Sequence, residues 1–190
     1  VVNRFFVPWL NAACLLLEEG VATAAQIAAI SCKAFRLGLG PFGLMNLTGP
    51  PIALHSTDYL AEQLNTPRYK GAQNLRDLVA NNAMWPIGDD SEYSQEQYTA
   101  VSERLLGVVF GVAAQIAEEE ICSMEDVDRG AKVGLRWARG PFEMMNRIGV
   151  SEACRMANAY AETAGEGWNV PAFFTDQGDA AWDFSYVDST

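Results

Sequence analysis

Basic charge is scarce in this chain: 13 lysines and arginines face 24 aspartates and glutamates, giving a net charge of -11 and a pI near 4.4. That balance repels a phosphate backbone, so nucleic-acid binding is not expected. Histidine is reduced to His55. The four cysteines, Cys14, Cys32, Cys122 and Cys154, have no C-x-x-C spacing and are too sparse for a disulfide scaffold. Three lie in apolar or small-residue surroundings, and the set reads as reduced packing residues of a cytoplasmic protein. No stretch approaches the eighteen or so apolar residues of a membrane span, because Asn11, Glu18 and Glu19 interrupt the best candidate. The start, Val1-Val2-Asn3-Arg4, has neither an initiator Met nor a signal-peptide pattern, so sequence ahead of it is expected to have been cut away.

What the chain does have is a duplication. Its 190 residues, 49% hydrophobic and 19% charged, suffice for one domain or two small ones with a real core. Residues 3–49 repeat at 103–149 without a gap, at an offset of one hundred, and eleven of the 47 aligned positions are identical. Pairs such as Phe6/Leu106, Trp9/Val109, Leu10/Phe110 and Leu16/Ile116 differ but stay apolar. Both copies end in one device, Gly40-Pro41-Phe42-x-x-Met45-Asn46-x-x-Gly49 and Gly140-Pro141-Phe142-x-x-Met145-Asn146-x-x-Gly149. Two similar helical units are therefore expected in tandem, over 1–94 and 95–190.

The punctuation gives each unit the same helices. A long helix is predicted from Arg4 to Glu19, ended by Gly20, which can take the left-handed cap conformation. Its counterpart starts at Arg104, and the two are expected to pack as a pseudo-twofold pair. Thr23-x-x-Gln26 reads as a capping box opening a second helix to Arg36, with Ser123-x-x-Asp126 at the equivalent place. Pro41 and Pro141 fit the first turn of a short third helix closed by Gly49 and Gly149. A fourth helix covers Ile52 to Leu64 and its counterpart Ser151 to Thr163, with one more over Leu75 to Asn82. Trp85 to Ser94, carrying Pro86, Gly88, Asp89, Asp90 and Ser91, reads as the junction. After Gly165 the aromatic tail, with Trp168, Phe173, Phe174, Trp182, Phe184 and Tyr186, is expected to lie across the helices.

Three features invite a chemical reading that their context does not support. Gly38-Leu39-Gly40-Pro41-Phe42-Gly43 matches G-x-G-x-x-G formally, but that fingerprint needs a preceding strand, and here a helix precedes it. The second copy replaces its first and third glycines with Ala138 and Glu143, so the shared element is a turn and helix start. His55 could act as a base, yet it has no histidine counterpart and no evident partner, which favours a surface or helix-end role. Glu18-Glu19 and Glu118-Glu119-Glu120 read as a solvated face at each long helix's end, since neighbours on a helix diverge by about 100°. No metal ligand and no cofactor-binding residue is assigned.

The run Asn3-Arg4, Pro8, Asn11, Ala13, Glu18-Glu19-Gly20-Val21-Ala22, then Leu37-Gly38-x-Gly40-Pro41-Phe42-x-Leu44 with Gly49 closing, resembles the C-terminal domain of the NAD-dependent 3-hydroxyacyl-CoA dehydrogenases. Ala131-Lys132-x-Gly134-Leu135-Arg136-Trp137 ahead of Gly140-Pro141-Phe142 resembles the same domain. Tandem copies are similar to those of multifunctional fatty-acid-oxidation proteins, where an enoyl-CoA hydratase module can accompany them. The resemblance implies an all-α fold of the 6-phosphogluconate dehydrogenase C-terminal-like kind, with no Rossmann sheet. It further implies that NAD, the catalytic His and Glu and a Ser near the substrate carbonyl belong to a separate Rossmann domain. The family active-site residue that maps here is Asn3, whose amide would orient that His and the substrate oxygen; its counterpart is Glu103. Where the family usually has Asp, Asn46 and Asn146 stand, so a charge is missing from each short helix. The expected role is therefore a wall of the acyl-CoA cleft and a docking surface for the NAD domain in fatty-acid β-oxidation, inactive alone. The alternative is a stand-alone, non-catalytic helical module that binds acyl-CoA or a partner.

Overall fold

The computed structural model describes residues 1–65, 69–164 and 168–183, and among these it holds ten helices and no strand. The first unit contributes α1 (Val2–Glu18), α2 (Ala24–Phe35), α3 (Pro41–Thr48), α4 (Pro50–Gln63) and α5 (Gln73–Ala80). The second contributes α6 (Gln95–Glu118), α7 (Met124–Gly134), α8 (Pro141–Ile148), α9 (Val150–Ala164) and α10 (Ala172–Asp176). The all-α, duplicated fold is the one expected.

Local chemistry explains where these helices begin and end. Thr23 and Gln26 form the reciprocal capping box of α2, with bonds of 2.9 and 3.2 Å, whereas Ser123 accepts from Asp126 N without a return bond from the shorter Asp side chain. Gly20 takes φ +71 after α1, and Glu120 holds φ +51 at the same place after α6. That conformation costs a residue with a Cβ about 1 kcal/mol more than it costs glycine. Gly49 and Gly149, at φ +100 and +102, turn the chain from α3 into α4 and from α8 into α9.

Several boundaries differ from expectation, α1 among them, which begins at Val2 rather than Arg4. α6 begins at Gln95, nine residues before Arg104, because Ser94 and Gln97 form a second full capping box. α4 begins at Pro50, since Pro50 and Pro51 sit where no intrahelical N–H is required. α5 runs two residues earlier than Leu75–Asn82, its first turn held by Glu18, whose carboxylate accepts from Asn74 N at 3.0 Å. α6 is also long and apolar enough to cross a membrane by length and composition, a reading the interruptions in α1 had hidden. Its apolar window is 78% buried against the rest of the protein, as a core helix is.

The two long helices form the centre. Arg4, at the start of α1, is paired by both guanidinium nitrogens with Glu119, the C-cap of α6, while Arg104 of α6 donates to Glu19, the C-cap of α1, at 2.9 Å. These bonds interchange when each residue is replaced by its counterpart one hundred positions away, so α1 and α6 run antiparallel about a pseudo-twofold axis. One core spans both units, and Trp137 of the second sits among Phe5, Trp9 and Phe35 of the first, at ring separations of 5.7, 5.7 and 5.0 Å. The tail lies across the helices as expected, with Trp168, Phe174 and Trp182 buried. Phe184 and Tyr186 lie outside the described residues.

The shared Gly-Pro-Phe device is a close-packing joint. Gly40 has an ordinary φ of -76, but a Cβ there would come within 2.7 Å of Ala28 Cα, and one on Gly140 would collide with the Asp128 side chain. Each glycine thus lets a short helix press against the helix before it. The asparagines complete the joint. Asn46 donates to Trp85 O at 3.0 Å and accepts from Trp85 N at 2.8 Å; Asn146 does the same with Trp182 at 2.9 and 2.8 Å. This two-way bond needs a donor and an acceptor on one side chain, which an amide has and a carboxylate lacks.

Asp128 shows where the two joints diverge. It is fully buried and accepts from Phe142 N at 2.8 Å and Glu143 N at 2.9 Å, capping α8; the corresponding residue in the first unit is Ala28. Burial pushes its carboxyl up from 3.8 to about 6, against the opposing pull of the two backbone N–H groups.

Two outcomes are expected. Asn46→Asp leaves the Trp85 carbonyl without its donor and should lower unfolding stability by about 1–3 kcal/mol at pH 7, read from urea midpoints. Because the folded pKa of Asp128 lies above the unfolded one, its favourable contribution is complete below about 3.8 and is lost as pH rises through about 6. Wild type should therefore lose stability relative to Asp128→Ala between pH 4 and pH 7, by on the order of 2 kcal/mol; a constant difference between the two proteins would contradict this.

Candidate functional site

A groove of about 330 Å³ opens between the start of α1 and the middle of α4. Asn3 and Arg4 form one wall; His55, Ser56, Tyr59 and Leu60, spaced along one face of α4, form the other. Asn3 is exposed at its lip, one residue inside the helix start. Beside it Arg4 is held rigidly: its hydrogen bonds to Glu119 keep the guanidinium more firmly protonated than usual, with a further contribution from Tyr69, while burial opposes them. His55 and Tyr59 lie one turn apart, with ring centroids 6.2 Å from each other, and both are exposed. Asn3 and His55, nowhere near each other in sequence, therefore share one groove. The lining contains a histidine but no carboxylate that would orient it as a base.

The offset of one hundred carries this groove onto the second unit, where α6 and α9 enclose about 140 Å³ lined by Glu103, Arg104, Met156, Ala159 and Tyr160. Here the positions of Asn3, Ser56, Tyr59 and Leu60 are held by Glu103, Met156, Ala159 and Tyr160. Glu103 is tied at 2.8 Å to Arg155, which stands where His55 does and also pairs with Glu152 at 2.7 Å. The earlier start of α6 adds Ala100 to the wall. One groove is thus wide with a free amide at its lip, and the other is narrowed and bridged by an ion pair.

The glutamates at the ends of α1 and α6 are not merely a solvated face. Glu19 and Glu119 make the reciprocal pairs with Arg104 and Arg4, and Glu18 caps α5. They are exposed, and what reveals their role is the partner rather than the burial. Among the described residues no three His, Cys, Asp or Glu side chains gather as a metal site. The run from Gly38 to Gly43 follows α2, and the space at Gly40 is filled by Ala28, so it does not fit a dinucleotide's pyrophosphate. The four cysteines are free thiols, and burial raises the pKa of each; Cys14 is the most deeply buried.

These features define an internally duplicated helical domain with two equivalent grooves, one more than twice the volume of the other. The chain belongs to the family of the 3-hydroxyacyl-CoA dehydrogenase C-terminal domain, whose model matches residues 1–86 and again residues 101–179. In three dimensions it is similar to the crystal structure of 3-hydroxybutyryl-CoA dehydrogenase from Escherichia coli K12 substr. MG1655, with a TM-score of 0.76 at 14% identity over 93% of this chain. The match spans 59% of that protein's chain, and at this identity it establishes the fold.

The pairing of Arg4 can be tested directly. The Arg4 side chain is 11% exposed, so Glu119→Gln should cost about 1–2 kcal/mol of stability by leaving a largely enclosed charge poorly matched. Asp126→Asn, which breaks the pair with Arg129 at 70% exposure, should cost less than about 0.5 kcal/mol. Denaturant midpoints of the two variants give the comparison, and equal losses would deny the Arg4 pair a special role.

Proposed function

We propose that this chain is the substrate-cleft and assembly part of an NAD-dependent 3-hydroxyacyl-CoA dehydrogenase, which in the full-length enzyme oxidises 3-hydroxyacyl-CoA to 3-oxoacyl-CoA in fatty-acid β-oxidation. Hydride transfer needs a nicotinamide and a base poised beside the carbinol. On this reading both come from a Rossmann domain docked against the first unit, and the present chain is inactive alone. An enoyl-CoA hydratase module is a further expected neighbour in the same assembly.

The observation that supports this most is the asymmetry of the two grooves. Asn3 keeps its amide exposed at the lip of the larger groove, whereas Glu103 of the smaller one is bound to Arg155. An exposed amide at the start of a helix held by the Arg4–Glu119 pair is positioned to hydrogen-bond groups brought in by another domain, here the catalytic His and the substrate oxygen. Exposed Ile52, His55 and Tyr59 beside it offer the apolar and aromatic surface such docking uses.

In the full-length protein, Asn3→Ala should reduce kcat by roughly ten- to a thousandfold, of the order of losing one positioned hydrogen bond in a transition state, with little change in stability. Glu103→Ala, at the equivalent place in the smaller groove, should leave turnover unchanged. Steady-state kinetics on both variants, with calorimetry of the isolated chain against NAD, tests the reading. Unchanged turnover of Asn3→Ala would remove Asn3 from the mechanism, and tight NAD binding by the isolated chain would overturn the division of labour.

A further inference from the structure

A second pocket, of about 260 Å³, lies on the seam between the units and shares no lining residue with the groove beside Asn3. It is formed by the segments that follow α2 and α7: Leu37 and Leu39 from one, Leu135 and Trp137 from the other, with Leu44 of α3. Gly38 leaves open space in its wall. The residues opening these segments, Arg36 and Arg136, are pseudo-twofold equivalents and share the left-handed backbone, with φ of 55 and 57.

The charge around this pocket runs against that of the whole protein. Arg136 lines the pocket, Arg36 directly precedes its lining residue Leu37, and Arg139 follows its lining residue Trp137 by two positions, although acidic residues outnumber basic ones 24 to 13 in the protein. Arg139 is held below its usual pKa, first by loss of hydration and then by repulsion from Arg147 and Arg36. Elsewhere arginines find carboxylates: Arg4, Arg76, Arg104, Arg129 and Arg155 all do. At the seam, Glu143 lies 3.4 Å from Arg139 and is shared with Lys132 at 3.3 Å. Arg36, Arg136 and Arg147 have no carboxylate partner among the described residues. Arg36 and Arg136 are exposed beside this apolar hollow, and their planar guanidinium forks match carboxylate or phosphate oxygens. The leucines and the indole would hold an apolar body.

We propose that the seam pocket binds a small amphiphilic oxyanion, its carboxylate or phosphate head held by Arg36 and Arg136 and its hydrocarbon body lodged among Leu37, Leu39, Leu135 and Trp137. The site is independent of the dehydrogenase reading and requires nothing from another domain.

The test is calorimetric titration of the chain with octanoate, octyl phosphate, octan-1-ol and inorganic phosphate, each below any micellar concentration. Saturable binding of octanoate or octyl phosphate is expected, at least tenfold tighter than that of octan-1-ol or inorganic phosphate; whichever of the two binds more tightly identifies the head group. The double variant R36N/R136N, in which asparagine tolerates the left-handed backbone, should weaken that binding at least tenfold. R129N/R155N, with the same change in net charge, should leave it unaltered. Circular dichroism of both variants verifies the fold. Unweakened binding in R36N/R136N, equal loss in R129N/R155N, no binding of either amphiphile, or equal binding of octan-1-ol or inorganic phosphate would each overturn the proposal.

Discussion

Everything else in the molecule depends on the pairing of α1 with α6. Neither unit can enclose its own long helix: α6 buries residues on all sides, from Val101 to Ile116, and needs a partner on each. α1 is that partner on one side and α9 on another, where Gly107 lets the α6 backbone approach Met156. Apolar burial supplies the association, since it is proportional to area and indifferent to direction. Direction and register come from the ends. The Arg4–Glu119 and Arg104–Glu19 pairs fix where one helix begins against where the other stops, and a slip of one turn would break both. Covalent linkage then holds the two units at high effective concentration.

The fold was legible because duplication printed it twice. Capping residues at Thr23 and Ser123, prolines at 41 and 141 and glycines at 49 and 149 each announced a boundary, and the structure places them there. Legibility failed where the units stop being in register. Trp85 and Trp182 do the same work against Asn46 and Asn146, yet they lie 97 residues apart rather than one hundred. Insertions in the connecting segments hide such pairs from a gapless comparison. Other misses came from reading residues singly. Ser94-x-x-Gln97 had the same form as Thr23-x-x-Gln26 and would have placed the start of α6 correctly. The glutamates looked solvated because their partners lie 85 and 115 residues away.

The candidate site was half legible. Resemblance alone pointed to Asn3, and no periodicity would have singled out an exposed asparagine in the first turn of a helix. His55 was visible as a lone histidine, but its neighbourhood was not, because the α1 residues that face it lie some fifty positions earlier in the chain and α2 and α3 intervene. Carrying the offset of one hundred past Gly149 would have set His55 against Arg155 and Tyr59 against Ala159. That contrast distinguishes an unbridged groove from one bridged by its own ion pair.

Comparison of the two copies separates structural from other pressures. Positions identical in both copies mostly have a mechanical role: Arg4 and Glu19 register the long helices, Ala13 lies buried at their centre, Gly40 admits a neighbouring helix, Asn46 clasps a tryptophan backbone and Gly49 turns the chain. Where the copies diverge, as at Asn3/Glu103 and His55/Arg155, one groove is wide and the other narrow and bridged by an ion pair. Arg36 and Arg136 fit neither description. They are identical, they adopt a backbone conformation that glycine or asparagine would take more easily, and neither side chain has a carboxylate partner among the described residues. A mechanical demand at these positions would have favoured a smaller residue. What singles out arginine there is its charge, placed on the two segments that form the seam pocket.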